Sequence, residues 1–289
     1  MQSQKQFKRR FSFEFFPPKT DKGKEKLQGV RDQLAGVNPD FFSVTFGAGG
    51  STRDRTLETV INLHKQGIST APHISCIGST KESIAELLDL YRENGINRIV
   101  ALRGDMPSGM GSAGELRYAN ELVGFIRDHS GDAFNIEVAA YPEFHPQARN
   151  AEEDLKNFAR KVEAGANSAI TQYFFNIDSY FYLIDRLERM NVTIPVVPGI
   201  MPIVNYSNLV RFSDMCGAEI PRWVRKQLEA YGDDSESIRK FGEDMLTEMC
   251  GKLLEAGAPG LHFYTLNQVE PSISIWKNLG LGERDKIAF

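Results

Sequence analysis

Residues 11–18, Phe11-Ser12-Phe13-Glu14-Phe15-Phe16-Pro17-Pro18, decide the fold. An aromatic-rich alternating run reads as a strand, and two prolines end it because proline lacks the N–H that a sheet needs. The run ends on an ionisable side chain. The same combination returns at Ile99-Val100-Ala101-Leu102-Arg103-Gly104-Asp105 and at His262-Phe263-Tyr264-Thr265-Leu266-Asn267. Working outward, strands are expected near 11–16, 41–46, 71–76, 98–103, 136–141, 168–174, 194–198 and 260–266. They recur about every 25 to 35 residues, with one longer gap before the last. Between them lie helical patterns: Ile84, Leu87, Leu88 and Tyr91 form one apolar stripe, and Ile238, Phe241, Met245, Met249 and Leu253 form another. Alternating strand and helix implies parallel strands with crossover helices, and eight units match an α/β fold, a single closed (β/α)8 TIM-type barrel. A doubly wound open sheet usually needs fewer strands. The extra stretch 214–234, with Pro221 and Trp223, is expected to form short helices between the seventh and eighth units. In such a barrel the strand ends gather at the C-terminal mouth, where chemistry is done.

The bulk numbers agree with one domain over 1–289. The 289 residues are 41% hydrophobic and 25% charged, which leaves ample material for a core, and no Pro/Gly/Ser-rich linker divides them. A net charge of -4 argues against nucleic acid as a partner. Three widely spaced cysteines cannot all pair and match no zinc motif, so they read as reduced thiols. The basic N-terminus leads into no signal-peptide apolar core, and no run reaches the ~20 apolar residues of a membrane span. A cytoplasmic location is expected, with no membrane partner.

Glu14 is the first candidate for chemistry. Side chains alternate along a strand, so Ser12, Glu14 and Phe16 share one face while Phe13 and Phe15 share the other. Glu14 then points into the mouth among aromatic neighbours, where loss of water raises a carboxyl pKa, as suits a general acid. A buried glutamate paired with a basic partner fits the pattern equally well. Asp105 leads from the fourth strand into a glycine-rich loop, 106–114, whose backbone can approach a flat or phosphorylated ligand. A turn or capping aspartate is the ordinary alternative. Other strand ends carry Thr45, His73, Ser75, Tyr141, Gln172 and Tyr264, with Glu143 and His145 just beyond the fifth. His73, His145 and His262 could gather with Glu143 and Asp105 around a metal, as in a barrel hydrolase or lyase. No His-x-His or His-Glu-x-x-His spacing supports that. No lysine closes a strand, which weighs against a Schiff-base aldolase. On the helix after the fifth strand, Asp154, Asn157, Arg160 and Lys161 share a face, as a plainly solvated helix would also show.

Taken together the motifs resemble the flavin-dependent methylenetetrahydrofolate reductases, in the short bacterial form. The resemblance runs from Phe11 to about Leu279. It is carried by 13–18 and 43–48, by Ala71-Pro72-His73 and 101–105, by Ala139-Ala140-Tyr141-Pro142-Glu143 and Gly165-Ala166-Asn167, and by Ile170-Thr171-Gln172 and 262–267. One such motif could arise by chance; eight in order could hardly do so.

The resemblance implies FAD at the C-terminal mouth without a Rossmann domain, in keeping with the lack of a Gly-x-Gly-x-x-Gly fingerprint. It assigns Thr45, His73, Leu102, Arg103, Gly104 and Asp105 to the flavin, with Tyr118, Ala119, Tyr141 and His145. Asp154, Asn157, Arg160, Lys161, Ile170 and Gln172 complete that set, Arg160 and Lys161 neutralising pyrophosphate and Asp154 accepting from ribose hydroxyls. The implied reaction is ping-pong hydride transfer from NADH, or NADPH, to methylenetetrahydrofolate, feeding methionine synthesis. Glu14 would protonate the departing ring nitrogen, and Asp105 would stabilise the iminium cation and tune the flavin. Gln172 and Tyr264 would touch substrate, Phe212 would stack on it, and Asn208, Leu266 and Gln268 would complete the folate site. Two positions depart from the pattern: Gln268 stands where many relatives have arginine, and Asn208 where they have glutamine. Folate-tail affinity is where these changes would act. The chain stops soon after the eighth helix, so no regulatory domain and no inhibition by S-adenosylmethionine at one are expected. Family members commonly form homo-oligomers. A flavoprotein that has lost catalysis is a further reading, against which Glu14, Asp105 and Gln172 speak jointly.

Overall fold

The computed structural model describes residues 1–47, 52–105 and 114–282. Its strands are β1 (Arg10–Phe15), β2 (Phe41–Val44), β3 (Thr70–Ser75), β4 (Arg98–Leu102), β5 (Asn135–Ala140), β6 (Ser168–Thr171), β7 (Val196–Val197), β8 (Gly199–Ile200) and β9 (Gly260–Tyr264). All pair in parallel, in the order β7-β6-β5-β4-β3-β2-β1-β9-β8. Only Pro198 separates β7 from β8. The two are halves of one barrel strand, and through them the ring closes as the expected TIM-type barrel. The single seventh strand expected at 194–198 is thus corrected to a broken one. Pro198 has no N–H to donate, so the ladder to β6 ends beside it and resumes from Gly199 toward β9. Its carbonyl still accepts from His262 N at 2.9 Å. The sixth strand also stops earlier than expected, at Thr171.

Helices α1 (Gln2–Lys5), α2 (Asp21–Ala35), α3 (Arg53–Lys65), α4 (Lys81–Glu93), α5 (Ala119–Ser130), α6 (Ala151–Glu163), α7 (Ile177–Arg189), α8 (Tyr206–Cys216), α9 (Arg222–Tyr231), α10 (Ser235–Ala256) and α11 (Ser272–Asn278) complete the described elements. The α4 stripe is buried as read. In α10 the stripe is only half right: Ile238, Met249 and Leu253 are buried, whereas Phe241 and Met245 are half-buried and Phe241 turns its ring to Trp223. The helix α9 packed there is part of the extra stretch expected to be helical.

Strand alternation splits the core in two. Phe11, Phe13 and Phe15 face outward into a large apolar cluster between strands and helices; Phe11 meets Trp276 of α11 edge-on at 5.2 Å, and Phe13 stacks on Phe263 at 5.3 Å. Burying each such ring contributes about 1.5–3 kcal/mol. Inside the barrel a small group of Phe41, Ala71, Val100 and Ile170 replaces a full apolar filling. The rest of the interior is polar. Buried Glu137 on β5 takes an ion pair from Arg98 on β4 and a hydrogen bond from Ser168, while Arg98 also lies 4.8 Å from the Phe41 ring centre. Leaving Arg98 buried without its partner should cost about 3–5 kcal/mol. Glu137→Ala is therefore expected to lower the urea midpoint sharply. A midpoint within error of wild type would show that the pair is not needed.

Candidate active site

The register of β1 with its neighbours builds the site. Ser12 lies opposite His262 of β9, and Glu14 opposite Ser43 of β2 on one side and Tyr264 of β9 on the other. Ser12 and Glu14 share the inward face, as their alternation requires. Glu14 is 9% exposed. Its Oε2 lies 3.2 Å from His73 Nε2 of β3 and 3.4 Å from His262 Nε2, and accepts from Ser43 Oγ at 3.5 Å. The His73 contact lacks hydrogen-bond alignment. On its far side, the His262 ring meets Ser12 Oγ through Nδ1 at 2.7 Å.

This surrounding corrects the expected pKa of Glu14. Burial alone pushes its carboxyl up, but the charge on His73, the His262 hydrogen bond and the remaining imidazole contacts together outweigh it. The group is held down at about 2. Desolvation was legible along β1; the two imidazoles that β3 and β9 bring across the barrel were not.

Above Glu14 opens a cavity of about 450 Å³ at the C-terminal ends of the strands. Glu14, His73 and Gln172 supply polar groups to its walls, and Leu102, Val100 and Ile170 supply apolar ones. Thr45, Asp105, Tyr141, His145, Phe212, Tyr264 and Leu266 also border it, so most of the residues anticipated from the sequence do meet here. Asp105 is exposed and is the last described residue before the glycine-rich loop, of which 106–113 lie outside the described residues. The Tyr264 hydroxyl donates to Thr171 O at 2.7 Å, and burial pushes its pKa well up, so it stays a neutral donor. Burial likewise raises Tyr141 to about 12.

Beside the cavity, α6 carries a second cluster. Asn150 caps that helix by accepting from Glu153 N at 2.9 Å. One turn on, Asp154 Oδ2 accepts from His145 N at 3.0 Å, which ties the loop after β5 to the helix. Lys161 points inward and donates to Ala139 O at 2.6 Å. Burial lowers its pKa to about 8, with Asp154 partly opposing the shift. Among the described residues no carboxylate lies within ion-pair distance of it.

Several anticipated residues stand elsewhere. Arg160 is exposed and engaged with Glu153 at 3.3 Å and Asn157 at 2.6 Å. Tyr118, 56% exposed, caps α5, where Ala119 begins. Arg103 binds Gln147 and the carbonyl of Gly104. Gly104 has φ 83, and a Cβ there would sit 1.8 Å from Ser75 Oγ, so tight packing on β3 by itself requires glycine. Asn208 is exposed and Gln268 half-buried, both outside the cavity wall. Glu143, weighed as a metal ligand, accepts from Glu219 N at 2.7 Å. Among the described residues no three His, Cys, Asp or Glu are arranged to hold a metal ion, and no helix is long and apolar enough to cross a membrane. In the sequence Ser12 shows only as sharing the face of Glu14, Ser43 only as part of a motif, and His262 as a conceivable metal ligand and part of a motif; which strands bring them to Glu14 is not visible there.

Architecture and cavity first define a class: a TIM-type barrel with a cavity at its C-terminal mouth, the end where barrel enzymes work. Comparison with known proteins narrows it. The family model for methylenetetrahydrofolate reductase matches residues 1–280. The 5,10-methylenetetrahydrofolate reductase of Salmonella typhimurium is 41% identical over 271 residues, covering 93% of this chain and 90% of that protein. Maize methylenetetrahydrofolate reductase (NADH) 1 is 39% identical over 292 residues, covering 96% of this chain and 49% of its own length. The chain belongs to the methylenetetrahydrofolate reductase family and is an oxidoreductase. The fold recurs, with a TM-score of 0.67 and 17% identity over 97% of this chain and 95% of the other, in a Clostridium thermocellum protein described as binding two copies of 5-methyl-5,6,7,8-tetrahydrofolic acid.

Proposed function

We propose that this barrel reduces 5,10-methylenetetrahydrofolate to 5-methyltetrahydrofolate, with NADH or NADPH as donor and FAD held at the mouth in a ping-pong cycle. The product would serve methyl transfer in methionine synthesis. The observation that carries this reading is the Glu14–His73–His262 cluster at the floor of an apolar-walled cavity. Ring opening of the substrate needs a proton, and the cluster sets a carboxylate and two imidazoles together where the substrate would lie.

The residues fit FAD by their chemistry. A cavity of about 450 Å³ lies in the usual range for ligand sites. Half-buried Lys161, a cation with a backbone partner and no carboxylate within ion-pair distance among the described residues, suits a diphosphate. Asp154 and His145, joined beside it, can meet ribose hydroxyls. When bound, FAD supplies the hydride relay between nicotinamide and folate.

The protein's own part is to hold and move a proton. With its carboxyl held near 2, Glu14 does not store that proton at neutral pH. The imidazole nitrogens of His73 and His262 are the proton-bearing groups within reach of it. A charged His262 donates through both nitrogens, and a neutral one receiving the Ser12 hydroxyl keeps its hydrogen on Nε2, so either form aims a proton at Glu14 Oε2. Glu14 Oε1, with no hydrogen-bond partner among the described residues, is left to face the substrate. Glu14 is thus a relay set between two imidazoles, a change from Glu14 as a lone raised-pKa acid. Gln172 and Tyr264 offer neutral hydrogen bonds to the pterin, and Asp105 a negative charge near the cation formed on ring opening.

Lys161 gives a test that does not depend on turnover. Its pKa without ligand is about 8, and a bound diphosphate would favour the charged form. FAD affinity should therefore be level below pH 8 and fall as pH rises through it, by up to about tenfold per unit. Lys161→Met should weaken binding and flatten that profile, as measured by flavin titration of the apoprotein. Arg160→Ala should do much less, because its charge is exposed and already paired. A pH slope unchanged in Lys161→Met would remove Lys161 from the flavin site.

A further inference from the structure

We infer that Arg211 is the residue that selects the anionic end of the folate, an inference that rests on the reading above. Helix α8 follows β8 at the mouth, capped by Asn205 accepting from Asn208 N at 2.9 Å. Its residues Phe212, Met215 and Cys216 line the cavity. Steps of three and four place Asn208, Arg211, Phe212 and Met215 along one side of the helix. The Arg211 guanidinium carbon lies 5.1 Å from the centre of the Phe212 ring, in cation–π range.

Arg211 is exposed, and among the described residues no carboxylate or carbonyl is found to hold it; Asp214, three residues on, is not drawn to it. Nearby cations are committed differently. Arg103 is tied to Gln147 and to the Gly104 carbonyl, Lys161 to Ala139 O, and Arg160 to Glu153 and Asn157. An arginine fork is matched to carboxylate, and contact with a ring limits the freedom it loses on binding one.

The substrate has a complementary order. A folate joins a pterin, through a flat aminobenzoyl ring, to a glutamate bearing two carboxylates. Phe212 at the cavity wall suits the flat ring, and Arg211 beside it then meets the carboxylates. The Lys161 side of the mouth is taken by the cofactor in this reading, so the tail leaves along α8.

The test compares methylenetetrahydrofolate with the analogue in which methylamine replaces glutamate, leaving an uncharged amide. Wild type should prefer the glutamate form in kcat/KM by about tenfold at low salt, the preference shrinking as salt is added. Arg211→Ala should erase the preference through KM, and Arg211→Lys should restore part of it. Equal preference in wild type and Arg211→Ala overturns the assignment. So does an equal loss toward both substrates, which would mean that Arg211 only positions Phe212. Absence of any folate turnover in flavin-loaded wild type would overturn the functional reading and this inference with it, and would be evident before any variant is made.

Discussion

Glu14→Gln is expected to lower folate-dependent NADH oxidation by about 10²–10⁴-fold while NADH-driven reduction of an added quinone continues. Glutamine keeps the shape of the side chain and can still accept from His262 and Ser43, so the cavity floor should survive. What it cannot do is take a proton from an imidazole and hand it on. The nicotinamide reaction needs no such proton from this cluster, and that is why the two activities should part. The variant also separates catalysis from stability. Because the folded carboxyl is held at about 2 against an ordinary 4.5, it contributes stability above pH 4.5 that is lost as pH falls toward 2. The stability gap between wild type and Glu14→Gln should close over that window. Were both turnovers to survive, or to fall alike, the proton relay would be misplaced.

Gly260→Ala is expected to destabilise the barrel by several kcal/mol, or to leave no soluble protein. Gly260 begins β9 directly opposite Arg10 of β1, on the seam between the first and last strands of the chain, with φ 121. A Cβ there would lie 1.6 Å from the Arg10 carbonyl oxygen, and backbone cannot swing aside as a side chain would. Strain at such φ adds about 1–3 kcal/mol for a residue with a side chain. Gly29 supplies the contrast: it sits exposed in α2 with nothing within 4 Å of a new Cβ. Gly29→Ala should raise stability by about 0.5–1 kcal/mol. Thermal melts of the two variants should move in opposite directions; a Gly260→Ala melt within a degree or two of wild type would mean that the seam has slack.

The barrel was legible because its signals are local. Strand runs such as Phe11 to Phe16 and the α4 stripe carry their periodicity within a few residues, and repetition of the unit gives the count. The break at Pro198 was less legible, since a proline in a short apolar run does not say which neighbour each half will pair with. Gln172 and Tyr141 could be placed at strand ends from sequence, whereas Arg160 and Asn208 could not be told from ordinary exposed helix residues. A three-to-four spacing defines a face but not what that face meets.

By itself the sequence determined the succession of strands and helices, the inward face holding Ser12 and Glu14, and the polar ends that mark the mouth. These follow from backbone geometry and from the period of apolar residues, both of which act over one element. The tertiary structure alone decided the charge on Glu14, because that depends on His73 and His262, which lie far along the chain and reach it only when β3 and β9 take their places around the closed ring. Coulomb forces and desolvation act through space, and a carboxyl that reads in the sequence as an isolated buried acid is held ionised between two imidazoles.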